Sequence, residues 1–73
     1  MRTRAKFICD RVTIFIGGQK EIIMNPVTSG SEENKNFWKH TPSGQLVMNI
    51  DNPEAADMFI PGKEYYLDFI LAE

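Results

Sequence analysis

A single cysteine, Cys9, and a single histidine, His40, are all that the 73-residue chain offers of the side chains that build disulfides and zinc sites. One thiol cannot close an intramolecular bridge, so nothing points to an oxidising compartment, and the interior of a cell is the expectation. One histidine with one cysteine falls short of the three or four ligands that zinc takes, so neither a metal nor any other cofactor is expected. The chain also lacks a basic excess: its formal net charge is −2, which disfavours general duplex binding, because neutralising phosphates needs a dense basic face. Long apolar runs are missing too. The N-terminal MRTRAKFICDRV is interrupted by Asp10 and Arg11 before it reaches signal-peptide length, and no stretch approaches a membrane span, so a soluble protein with no membrane partner is expected.

Catalytic signatures are equally sparse. Cys9 falls on the apolar side of the first predicted strand, where a buried small hydrophobe is the usual role of a cysteine. Gly17-Gly18 has neither a Lys-Ser/Thr tail nor a following helix and reads as a turn, not a phosphate loop. Glu32, Glu33, Asp51 and Glu54 sit in polar stretches where carboxylates are ordinarily solvated. A non-enzymatic role follows, with no catalytic residue assigned.

What the chain does have is a strand period. Tyr65, Leu67, Phe69 and Leu71 alternate with Tyr66, Asp68 and Ile70, and Leu46, Met48 and Ile50 alternate with their neighbours. The first segment alternates as well, but Phe7 and Cys9 are odd whereas Val12, Ile14 and Ile16 are even, so a β-bulge is predicted at Asp10-Arg11. Gly17-Gly18 predicts a two-residue hairpin into a second strand over 20–27. A short third strand is expected over 35–41, turning at Thr41-Pro42-Ser43-Gly44 into the fourth. Asn52-Pro53 with Ala55-Ala56 behind it predicts one helical turn, which Pro61-Gly62 ends before the last strand. The expected fold class is all-β: residues 1–73 as one domain, a small five-stranded antiparallel barrel or rolled sheet, SH3-like in order before OB-like. A domain this short buries a small core, so a homo-oligomer, first of all a dimer, is expected.

The runs SEENKNFWKHTPSG and FIPGKEYYLDF resemble segments of short uncharacterised proteins encoded by bacteriophages and prophages, a similarity extending from Lys6 to Phe69. That resemblance implies an accessory phage protein in the cytoplasm of a bacterial host, and it implies no mechanism.

The functional candidate is the first of those runs. Read as a strand, it sends Phe37 and Trp38 to opposite faces, leaving one ring for a partner, with Asn34, Lys39, His40 and Thr41 around it. Tyr65 and Tyr66 repeat the pattern. These eight residues are the predicted partner-binding set, for a host protein or a small nucleotide. Two alternatives are kept beside it: a single-stranded nucleic-acid binder, favoured by the aromatics and the Arg-rich N-terminus but opposed by the acidic balance, and a small virion or assembly component.

Overall fold

In the computed structural model, which describes residues 2–73, four strands and two short helices follow one another along the chain. Strand β1 (Arg2–Ile14) leads into β2 (Lys20–Pro26), helix α1 (Glu32–His40), β3 (Leu46–Ile50), helix α2 (Pro53–Ala56) and β4 (Glu64–Ile70). The strands form one antiparallel sheet in the order β3-β2-β1-β4, curled into a half-barrel. The long β1 serves both sides: residues 7–14 pair with β2, and residues 2–8 pair with β4.

The phase slip in β1 is real. Cys9 pairs with Met24 and Arg11 with Ile23, so Asp10 is the extra residue of a β-bulge. Its effect is to keep apolar groups on the concave face through the slip, where Ala5, Phe7 and Cys9 precede the bulge and Val12 follows it. Ile22 and Met24 from β2 complete the buried centre, with Leu46, Ile50, Phe59, Tyr65 and Leu67 packed around it. Cys9 is buried beside Phe7 as expected, and desolvation, with the Asp10 charge behind it, pushes its thiol pKa up.

Several expectations need correction. The hairpin after β1 is not a two-residue turn. The Gly18 amide donates to the Phe15 carbonyl at 2.9 Å and the Phe15 amide to the Gln19 carbonyl at 2.9 Å, enclosing Ile16-Gly17-Gly18. Only Gly18 adopts positive φ, at 89°, which is the left-handed residue such a three-residue loop requires.

The larger correction is the expected third strand, which is helix α1. Ser31 sits in extended backbone and its Oγ accepts a 3.0 Å hydrogen bond from the Asn34 amide, capping the helix. Glu32 and Glu33 fall in the first turn, and Lys39 and His40 in the last, as the helix dipole favours. The Thr41 amide donates to the Phe37 carbonyl at 2.8 Å and closes the helix. Residues 41–45 therefore connect α1 to β3, so the second hairpin expected there is absent. With four strands in place of five, neither the five-stranded barrel nor its SH3-like order is what the sheet forms.

The remaining punctuation agrees. Asn52 Oδ1 accepts from the amides of Glu54 at 3.0 Å and Ala55 at 3.4 Å, so α2 starts on its predicted cap. The chain then crosses the concave face, where Ala56 is buried and Phe59 packs on the core, and turns into β4 at Gly62, whose φ is 88°.

Candidate functional site

Alternation on β1 and β4 sends the odd-numbered residues of 64–70 inward and the even-numbered ones to the convex face, where α1 lies. The register places Arg4 opposite Asp68, Lys6 opposite Tyr66 and Ile8 opposite Glu64. Charges of opposite sign thus become cross-strand and diagonal neighbours around one aromatic ring. Arg4 forks onto Asp68, with Nε to Oδ1 at 2.7 Å and a second nitrogen to Oδ2 at 3.0 Å. Lys6 Nζ donates to Glu33 Oε2 at 2.7 Å and lies 3.4 Å from Glu64 Oε1. The Arg4 guanidinium and the Lys6 ammonium stand 4.8 and 5.5 Å from the centre of the Tyr66 ring, within cation–π range.

Helix α1 completes this group. The Tyr66 hydroxyl donates to Glu33 Oε1 at 2.8 Å, and Phe37, half-buried, meets the Tyr66 ring at a centroid distance of 6.1 Å. Asn34 is 2% exposed; its Nδ2 donates to the Ser29 carbonyl and to Glu64 Oε2, both at 2.8 Å. The two acceptors fix the orientation of the amide and leave Oδ1 as a buried acceptor without a partner among the described residues.

The ionisations follow from these contacts. Hydrogen bonds from Lys6 first, and from the Tyr66 hydroxyl second, hold the Glu33 carboxyl below the usual carboxylate range. The same Glu33 contact raises Lys6 and is the main cause of the upward shift of Tyr66. Arg4 is raised by its hydrogen bond to Asp68. Each group moves away from neutrality, the reverse of the tuning that proton transfer near pH 7 uses. Nor can these cations readily grip a phosphate, since Arg4 and Lys6 are both held by carboxylates of the same chain.

The eight predicted partner-binding residues consequently part company. Asn34 is an interior anchor of α1, not a surface contact. Phe37 and Tyr66 join the helix to the sheet. Thr41 caps the helix through its backbone. Tyr65 points to the opposite, concave side: its hydroxyl donates to the Met58 carbonyl at 2.6 Å and accepts from the Ile60 amide at 2.9 Å, and its ring meets Phe59 at 5.4 Å. Tyr65 and Tyr66 therefore face opposite sides of the sheet, one in and one out, as their alternation predicts. Trp38, 46% exposed, lies at the C-terminal end of the helix, where Lys39 and His40 are exposed too. The strand argument for Phe37 and Trp38 fails in its geometry, yet the helix still separates the two rings, because consecutive helical residues lie about 100° apart around the axis.

The ion network around Tyr66 was missed by reading the aromatics alone. Its signal was Arg4 and Lys6 two apart on one strand, and Glu64, Tyr66 and Asp68 two apart on another, a ladder of opposite charges on shared faces. Among the described residues no group of three or more His, Cys, Asp or Glu side chains is placed to hold a metal ion, and no helix is long and apolar enough to cross a membrane. Comparisons with protein-family models, with curated proteins and with solved structures return no match for this chain.

Proposed function

We propose that the chain is a non-enzymatic binding module, an accessory protein of the phage type that its sequence runs resemble, acting on a host protein in the bacterial cytoplasm. The observation that carries this reading is an exposed tryptophan on a moored helix. Helix α1 is moored to β1 and β4 by Glu33, Asn34 and Phe37, while Trp38, one turn beyond Asn34, stays 46% exposed at its C-terminal end, where Lys39 and His40 are exposed too. A tryptophan held on a short, doubly capped helix loses little side-chain freedom on binding, which is what an interface anchor requires. A protein partner fits better than a nucleotide or a single nucleic-acid strand. Among the described residues Tyr66 is the tyrosine with cations over its ring, and both of those cations are already paired with carboxylates. In a phage setting, such grip on a host protein would serve inhibition of that protein, as in counter-defence.

The test is a photo-crosslinking residue placed at Lys39 and activated in bacterial cells expressing the protein. A discrete adduct with one host protein that disappears when Trp38→Ala is added is the expected result. Adducts that persist unchanged in the Trp38→Ala background would overturn the reading.

A further inference from the structure

From the geometry of the other edge of the sheet we infer a second site: the free edge of β4 and the apolar groove beside it are the contact for a second copy of this chain, joined β4 to β4 in antiparallel fashion. A groove of about 310 Å³ opens on the concave side between β4 and β3, with Met24, Leu46, Met48, Met58 and Phe59 along it. Its other wall is residues 65–69 of β4 without a gap. Alternate side chains of that strand point to opposite faces, so the groove runs along the main chain of β4 as well as its inward side chains. Among the described residues β4 pairs with β1 alone, which leaves that edge with unpaired amides and carbonyls. Such edges are normally blunted by lysine, proline or a bulge, and from Leu67 to Leu71 the only polar residue is Asp68.

A second copy, not an unrelated partner, is indicated by the size of the exposed surface and by self-complementarity. A compact monomer of this mass should expose about 4,600 Å². The chain exposes 5482 Å². The excess, roughly 900 Å², is close to the 800 Å² or so that each partner contributes to a standard interface. The radius of gyration tells the same story, at 13.4 Å against about 11 Å for a compact chain of this length. A domain too small to bury its own apolar surface needs its partner permanently, and an identical chain is always present with it. The edge also carries its own filling: Phe69, which lines the groove, is 60% exposed. A two-fold axis through Leu67 sets Phe69 of each copy opposite Tyr65 of the other, over the groove, and sets Asp68 opposite Tyr66. An axis at Asp68 would oppose two carboxylates, which a sheet disfavours.

Sedimentation equilibrium of the whole chain, with Phe69→Lys and Ile16→Lys variants, tests this. Ile16 is an equally apolar exposed residue at the far hairpin and serves as the control. Expected are twice 8.4 kDa for the parent and for Ile16→Lys, and self-association weakened roughly tenfold or more in Phe69→Lys with its circular dichroism unchanged. A parent that stays monomeric up to roughly 100 μM overturns the inference, since standard interfaces hold well below that concentration. A dimer indifferent to Phe69→Lys, or one dissolved by Ile16→Lys, overturns it too. Should Phe69→Lys fail to fold, hydrogen exchange of the parent at two concentrations decides: protection of the β4 amides that rises with concentration supports the pairing, and protection that does not change refutes it. Because Trp38 lies on the opposite face, either result leaves the reading of α1 standing.

Discussion

The Tyr66 hydroxyl donates to Glu33 Oε1 at 2.8 Å while Lys6 donates to the other oxygen of the same carboxylate at 2.7 Å, so the first turn of α1 is held to β4 and β1 by a single acidic group. Lys6 also lies 3.4 Å from Glu64 Oε1 on β4.

This arrangement predicts a pH window for helix docking. Glu33 has a lowered folded-state pKa, so its contribution is complete above the ordinary carboxylate pKa and fades as pH falls through the lowered value. Lys6 and Tyr66 have raised values, so theirs are complete below the ordinary lysine and tyrosine pKa values and fade as pH rises through the raised ones. Trp38 fluorescence followed against pH should therefore be flat across the neutral range and change at both extremes. Glu33→Gln should remove most of the acid change, and an undiminished acid change in that variant would place the sensitivity elsewhere.

The cap of α1 makes a separate prediction. Ser31→Ala deletes the hydroxyl that receives the Asn34 amide and should cost about 1 kcal/mol in urea unfolding, with the loss concentrated in the helix. Ser31→Asp should restore it. A cost shared equally by the sheet amides in hydrogen exchange would show that the helix and the sheet open together.

The core and the bulge can be probed together. Ile22→Ala, at a position with no exposure, should cost about 2 to 5 kcal/mol. Deleting Asp10 should keep Cys9 and Val12 on the core face, because without the extra residue the pairs Cys9–Met24, Arg11–Ile23 and Val12–Ile22 follow in plain alternation, so its cost should come from the lost bend in β1. An Asp10 deletion that keeps parental stability would show that the half-barrel does not need the bend made by the bulge. The Cys9 thiol supplies the readout, since it should label slowly in the native protein and quickly once the core opens.

How far these elements could be read from the sequence depended on whether one face of each was buried. In β1, β3 and β4 one face meets the core, so period two survived in the residues, and the slip at Asp10 was visible because it broke that period. Asn52-Pro53 announced α2 through a cap and a first-turn proline, signals that need no periodicity. Helix α1 escaped because it buries so little: Asn34 is its single buried residue, and Phe37 is half-buried. One polar and one aromatic anchor make too faint a stripe to be recognised as period 3.6. The signal that was present, Ser31 followed by Glu32-Glu33 and ending in Lys39-His40, belongs to caps and dipoles, and the adjacent aromatics drew attention from it. The ring pair was located correctly as the place where one side chain is turned to solvent, but for the wrong backbone.

The most direct measurement compares Phe37→Ala with Trp38→Ala in unfolding and in recovery of the Lys39-crosslinked host protein. Phe37→Ala should destabilise the docking of α1, lowering helix content and stability, whereas Trp38→Ala should leave unfolding within about 0.5 kcal/mol of the parent. Trp38→Ala should nevertheless weaken partner binding by about 2 kcal/mol or more, as expected for an interface anchor. Equal losses of stability from both substitutions, with no loss of binding specific to Trp38, would contradict the assignment of α1 as a moored helix presenting an anchor.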